Sequence, residues 1–273
     1  MKISVIVPYR PGEKRLARCL DSVRASVSAA SAEWEVVAVE GREGVAAARN
    51  EGLSRATGEW IAWADADDEV EPEWASGIEE GVRAVGSCRG VVSFDARAVW
   101  DGEPRTGYGI AYGRPAGAVD PAVFAHDVIG ACRTAGWLWC RAFARGLFDG
   151  RDFAGGSFED YRMMCEILPD AEKVWHLARP LYVYRRTGGG LSQHVDRDAA
   201  REALAALMDM ARTRSDRFAR SMRKGVAVQM ADFCRRAGGE PAFRAFIRRN
   251  LPSVLAAPDA GLRTKMKCLL EAF

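Results

Sequence analysis

Three apolar runs constrain this chain more than any other feature: Ile3–Val7 (ISVIV), Trp34–Glu40 (WEVVAVE) and Glu59–Asp65 (EWIAWAD). Apolar on both pleat faces, each reads as a buried strand of a parallel sheet. Between them lie two helical patterns. Leu16, Leu20, Val23 and Val27 recur at helical spacing from about Glu13 to Ser28, and the Ala-rich GVAAARNEGLSRATG ends on Gly58, which reads as a C-cap. Strand–helix–strand–helix–strand implies right-handed crossovers and an α/β fold with a mostly parallel central sheet and flanking helices. In such sheets ligands bind beyond the carboxyl ends of the strands. The residues there are Pro8 and Tyr9, then Glu40, then Asp65 to Asp68.

Downstream the pattern loosens. DGEPRTGYGIAYGRPAGAVDP, rich in Gly and Pro, reads as loop with a hairpin; KVWHLARPLYVYRR reads as one or two strands; and the chain is helical after about Asp196, with breaks near Gly238 and Pro258. The expected organisation is an α/β half at 1–105, a second half at 106–196 and a helical C-terminal segment at 197–273. That last segment carries sixteen basic and eight acidic residues from Arg197 onward, against a net charge of only +2 for all 273 residues. The imbalance suggests an anionic neighbour: a membrane surface, nucleic acid or a phosphorylated substrate. With few aromatics and no recognisable module, the segment does not read as a nucleic-acid binder. Seven cysteines, none in C-x-x-C spacing, argue against a disulfide framework or a zinc site and for a reducing compartment. Neither a signal peptide nor a spanning run is evident, so the expected location is cytoplasmic.

The acids at the third strand's end are the strongest chemical signal. Strand alternation sends Asp65 and Asp67 one way and Asp68 another. Two carboxylates together suit a hard divalent cation, Mn²⁺ or Mg²⁺, which takes one or two carboxylates plus phosphate oxygens. The competing reading is a solvated turn whose acids cap the following helix.

ISVIVPYR, EVVAVEG and GVAAARNEGLSRATGEWIAWADADD together resemble the opening of the family-2 glycosyltransferases of the GT-A fold, with Ala48-Arg49-Asn50, Gly52, Ala56, Thr57-Gly58-Glu59 and Asp65-Ala66-Asp67-Asp68 in register. The resemblance runs over roughly residues 1–196 and is strongest to Glu73. It implies a Rossmann-like GT-A domain and an inverting transfer of sugar from a nucleotide-diphosphate donor, with a UDP-sugar favoured. The acceptor would be a hydroxyl of a glycan or lipid-linked molecule in polysaccharide or cell-envelope synthesis. By position, Glu40 would meet the nucleobase, Arg49 would reach the base, Asp65 would lie near the ribose and Asp67 would ligate the metal. The backbone at Pro8-Tyr9 would line the pocket. One departure stands out: the family commonly places a further helix and strand after the second strand's acid, whereas only GREGVAAA separates Glu40 from Arg49 here.

The resemblance also points to SFEDYRMMCEIL, where Asp160 would be the general base and Glu159 its positioning neighbour; as a local pattern the pair equally suits the first turn of a helix. Trp137 and Trp139 in WLWCRAF are aromatic positions for an acceptor sugar or for core packing. Arg185, Arg186 and His194, around a Gly-rich stretch, are positions for a diphosphate clamp or a metal contact. Peripheral attachment to the membrane's inner face would account for the basic tail. Two other classes fit less well. An aspartate-nucleophile phosphotransferase carries Asp-x-Asp after its first strand, not its third, and a non-catalytic assembly partner would not need the acid set.

Overall fold

The computed structural model describes residues 1–100, 109–130, 136–186 and 196–273. Its described residues fall into two compact units: those of 1–121, 137–154 and 170–194, and those of 122–136, 155–169 and 195–273.

In the first unit, β1 (Lys2–Tyr9), α1 (Leu16–Ser28), β2 (Glu33–Glu40), α2 (Val45–Arg55) and β3 (Trp60–Trp63) follow in the order that the apolar runs predict. β1 lies between β2 and β3 and pairs parallel with both. Beyond these come β4 (Glu69–Val70), α3 (Trp74–Val85), β5 (Gly90–Trp100), β6 (Gly109–Ile110), β7 (Gly117–Val119), β8 (Arg141–Ala144) and β9 (Lys173–Arg186). The main sheet order is β2-β1-β3-β8-β5-β9-β4, with β6 against β5 and β7 against β9. β8 runs antiparallel to both β3 and β5, while β5 and β9 are parallel. The sheet is thus parallel at its β2-β1-β3 side and mixed beyond it. KVWHLARPLYVYRR is one strand of 14 residues, bulged against β5 near Asp95.

Pro8 lies inside β1 rather than after it. The Ile6 carbonyl accepts from Ala64 on the β3 side. Pro8, two residues on, faces the same side, where β3 pairing has stopped at Ile6↔Trp63. Its missing N–H therefore leaves no ladder bond unmade.

α2 closes at Ala56, whose backbone turns extended (φ −65°, ψ 136°), and not at the Gly58 cap that the sequence suggests. Gly58 is needed for close approach instead. A Cβ there would stand 2.6 Å from the Ser4 backbone nitrogen. Gly52 plays the same part inside α2, where a Cβ would meet Ile6 Cγ2 at 2.4 Å. Both glycines let α2 and its exit lie directly on β1.

The second unit is helical: α4 (Pro121–Ile129, its first residue belonging to the other unit), α5 (Glu159–Ile167), α6 (Arg197–Thr213), α7 (Ala219–Ala237), α8 (Pro241–Leu255) and α9 (Leu262–Glu271). The breaks expected near Gly238 and Pro258 are present, and a third separates α6 from α7. Gly225 of α7 sits so close to the Ile129 carbonyl and the Tyr161 hydroxyl that no side chain fits there. Among the described residues no helix is long and apolar enough to cross a membrane.

Candidate active site

The carboxyl ends of β1, β2 and β3 lie at one edge of the sheet, because the three strands are parallel and adjacent. Buried Pro8 and half-buried Tyr9 end β1 beside Val39 and Glu40. The Tyr9 carbonyl accepts from the Gly41 N–H at 2.7 Å, and Glu40 pairs with Arg42. Only Gly41 to Gly44 separate β2 from α2, so the short connection read from the sequence is real.

Strand geometry does not extend to the acids. β3 ends at Trp63, and the Asp68 N–H donates to the Asp65 carbonyl at 3.0 Å, closing a turn. The alternation that sends Asp68 away from its neighbours therefore fails. One carboxylate oxygen from each of Asp65, Asp67 and Asp68 lies within 4.8 Å of the others.

Three groups hold this turn. Tyr182 of β9 receives the Asp65 N–H at 2.9 Å and donates its hydroxyl to Asp68 at 3.0 Å. The Arg185 backbone N–H donates to the other Asp68 oxygen at 2.7 Å, while its guanidinium pairs with Glu69. The buried Cys19 thiol donates to the Asp65 carbonyl at 3.4 Å. Two arginines face the remaining acids. Arg49, 4 % exposed, lies 3.5 Å from Asp65, and Arg15 lies 3.3 Å from Asp67. Arg49 also sits over the Phe153 ring. That ring is fixed by Asn50, whose amide exchanges two hydrogen bonds with the Phe153 backbone at 2.9 and 2.7 Å. The Arg-Asn pair of α2 thus acts as a unit, one residue facing the acid and the other fixing the arginine's apolar support.

Crowding and burial make this turn electrostatically costly. Burial first, then the charges of Asp65 and Asp67, holds Asp68 well above the usual carboxylate range, although the Arg185 N–H and Tyr182 hydroxyl oppose the shift. Asp67 is raised by burial, with Arg15 working the other way. Burial followed by Asp68 pushes Tyr182 upward too, so its hydroxyl keeps its proton and can donate. A carboxyl raised in the folded state binds its proton more tightly than the unfolded chain does. Its contribution to stability is present at low pH and is lost as pH rises through the folded value. In metal-free buffer the urea midpoint should therefore fall as pH rises out of the acid range, and Asp68→Asn should flatten that fall. An unchanged slope in the variant would remove Asp68 as the cause. The same crowding suits a divalent cation: three hard oxygen donors converge, and the charge that makes them costly when empty is what such an ion neutralises.

Beside the turn is an aromatic rank. Trp139 stacks on Tyr182 at 4.6 Å and on Tyr184 at 5.7 Å between centroids, and Trp137 stacks on Trp139 at 5.0 Å. Trp139 is 3 % exposed and Trp137 37 %, so only Trp137 offers a ring to solvent. Arg186 stacks on Trp100. His194 lies outside the described residues. In the second unit, Glu159 and Asp160 occupy the first turn of α5. Phe158, which precedes them, has φ 58°, the one positive-φ non-glycine among the described residues. That left-handed residue turns the chain sharply into the acid pair.

Residues 31–81 match the family model described as glycosyl transferase family 2. Over this segment the chain is similar to the family-2 glycosyltransferases. The segment holds Glu40, Arg49 and the Asp65–Asp68 turn, and stops inside α3. The chain is similar throughout its length to solved structures of S. aureus TarS residues 1–349. For the complex with UDP-GlcNAc, identity is 14 % and TM-score 0.59; for the complex with UDP, 16 % and 0.63. Each alignment covers 100 % of this chain and 89 % of TarS 1–349. A longer TarS structure matches at 16 % identity and TM-score 0.54, over 97 % of this chain and 50 % of that one. No curated protein matches the sequence. Likeness at this identity carries the fold, and the fold is GT-A.

Within the family-2 segment, sequence reasoning located Asp65 and Asp67 but turned Asp68 away. It also passed over Arg15 and Tyr182. Arg15 stands just before α1 with no motif to mark it, and Tyr182 is 117 residues from Asp65. Tyr182 lies in YVYRR, a run that resembles the family's Tyr-x-Tyr-Arg, but the contacts of both residues with the turn arise only through packing.

Proposed function

We propose that the protein is a metal-dependent inverting glycosyltransferase that moves a sugar from a nucleoside-diphosphate donor to a hydroxyl of a glycan or lipid-linked acceptor. The observation that carries this reading is the acid turn: three convergent carboxylates inside the segment matching family 2. Asp67 would hold Mn²⁺ or Mg²⁺, with Asp65 and Asp68 in reach of the same ion. When bound, the ion supplies positive charge to the diphosphate as it departs. The TarS complexes with UDP and UDP-GlcNAc favour a UDP-sugar here as well.

The chain's own residues divide the remaining work. Pro8, Tyr9 and Glu40 line the nucleotide end, with Glu40 set for a base N–H. Arg49 holds Asp65 in position for the ribose. Asp160 accepts the proton of the acceptor hydroxyl as its oxygen bonds to the anomeric carbon and the bond to the diphosphate breaks. That is one displacement, so configuration inverts. Glu159 positions Asp160. Trp137, with its exposed ring, is the residue to stack on an acceptor sugar, whereas Trp139 serves the core. Arg185 and Arg186 lie at the end of β9, where their side chains could move onto a diphosphate. The acceptor's membrane would sit beside the basic helical segment.

A panel of nucleotide sugars tests the reading directly. With Mn²⁺ present, one nucleoside-diphosphate sugar should raise the melting temperature; at a hundred times its Kd the gain is about 2.7 kcal/mol. Chelation should abolish the gain. Stabilisation indifferent to chelator would remove the metal, and hydrolysis of a simple aryl phosphate without any sugar transfer would replace the reading with phosphoryl chemistry.

A further inference from the structure

The second unit contains a cavity of about 530 Å³ lined by Arg212, Arg223, Ala245, Phe246, Arg249 and Asn250. We propose that this cavity is a binding site for a phosphate ester, distinct from the acid turn of the first unit. It stands whether or not the transfer reaction proposed above is correct.

Three of the six lining residues are arginines and none is an acid. They come from three elements: Arg212 from the last turn of α6, Arg223 from α7 and Arg249 from α8. Like charges brought together by separate helices repel one another, so an anion between them removes a cost as well as making bonds. Arg223 is fixed in place: its Nε and one Nη donate to the carbonyls of Ala211 and Arg214, each at 3.1 Å. Closing the end of α6 accounts for Arg223, but it does not account for the other two. Arg212 meets Asp209 at 3.4 Å, but both side chains are at least half exposed, and such pairs contribute little and yield readily. Arg249 has no ion-pair partner among the described residues and is exposed.

The chemistry of the lining selects the ligand. Guanidinium groups present paired N–H donors that match phosphate oxygens two at a time. Three of them suit the double charge of a phosphomonoester better than the single charge of a carboxylate. The volume exceeds that of a bare phosphate and falls in the range of small-molecule sites. Phe246 supplies an apolar wall, with the Arg212 guanidinium 5.8 Å from its ring centre. The preferred ligand is therefore a phosphate carrying an organic group.

The phosphate could be soluble or the headgroup of a lipid, and one experiment separates the two. The full chain is titrated by calorimetry, with EDTA present so that no divalent ion recruits phosphate to the acid turn. The probes are inorganic phosphate, phenyl phosphate and benzoate, followed by sedimentation with vesicles of phosphatidylcholine alone or mixed with phosphatidic acid. Phenyl phosphate should bind more tightly than inorganic phosphate, and benzoate more weakly than either. Arg249→Gln and Arg212→Gln should each weaken phenyl phosphate about tenfold or more, the loss of one charge-assisted bond. Both side chains are exposed, so neither variant should alter the melting temperature appreciably. Vesicle binding that needs phosphatidic acid and is lost in both variants assigns a lipid headgroup. Phenyl phosphate binding without vesicle binding assigns a soluble ester. Failure of every probe to bind, or affinities unchanged by both substitutions, overturns the proposal.

Discussion

Asp160→Asn should reduce sugar transfer by about 10²- to 10⁴-fold, the span that a positioned general base contributes, while leaving donor affinity unchanged. The amide keeps the shape of the carboxylate but cannot accept a proton. The acceptor hydroxyl would then attack with its proton still attached. Position supports the role: Asp160 occupies the first turn of α5, which Phe158 enters through a left-handed backbone conformation. A bulky residue held there costs on the order of 1–3 kcal/mol, and such strain gathers at functional sites. The measurement is a direct transfer assay beside a donor titration. Full activity in Asp160→Asn would end the role, and a parallel loss of donor affinity would make the residue structural rather than catalytic.

Asp67→Ala should abolish metal-dependent binding of the nucleoside diphosphate. A bound cation supplies several kcal/mol of charge stabilisation, so the affinity measured with Mn²⁺ should fall more than about a hundredfold. The side chain is held by Arg15 at 3.3 Å, and partial burial raises its pKa. Removing it takes from Arg15 one acidic partner and leaves Glu13 at 3.0 Å, which is why Asp67→Asn belongs beside it. Asn keeps the volume and a partner for Arg15, yet gives up the charge. Calorimetry with Mn²⁺ and with EDTA decides: equal affinity in wild type and both variants would place the cation elsewhere.

The first half of the fold was legible because its determinants are local. A buried parallel strand must be apolar on both faces, and a helix must repeat its apolar positions every three or four residues. Ile3–Val7 and the Leu16–Val27 spacing satisfy these rules without reference to anything distant, whereas Trp34–Glu40, read as buried, forms the edge strand β2, in which only Val37 and Val39 are buried. The strand order beyond β3 was not legible. β8, from a segment eighty residues later, inserts between β3 and β5, and no period in the chain encodes that choice. Gly58 shows the same limit on a small scale. Its identity suggested a cap, but its reason is contact with Ser4 on another strand.

The candidate site divides along the same line. Strand direction alone placed Glu40 and the Asp65–Asp68 run at the carboxyl ends of parallel strands, and the family resemblance added Arg49 of α2 to them. It also marked Asp160 by its family-like context. Only the tertiary structure decided which acids act together. Once β3 ended at Trp63, pleat alternation ceased to govern, and the turn took its shape from Tyr182 and the Arg185 backbone of β9. Those partners are more than a hundred residues away, and hydrogen bonds across that distance exist only after the sheet has formed.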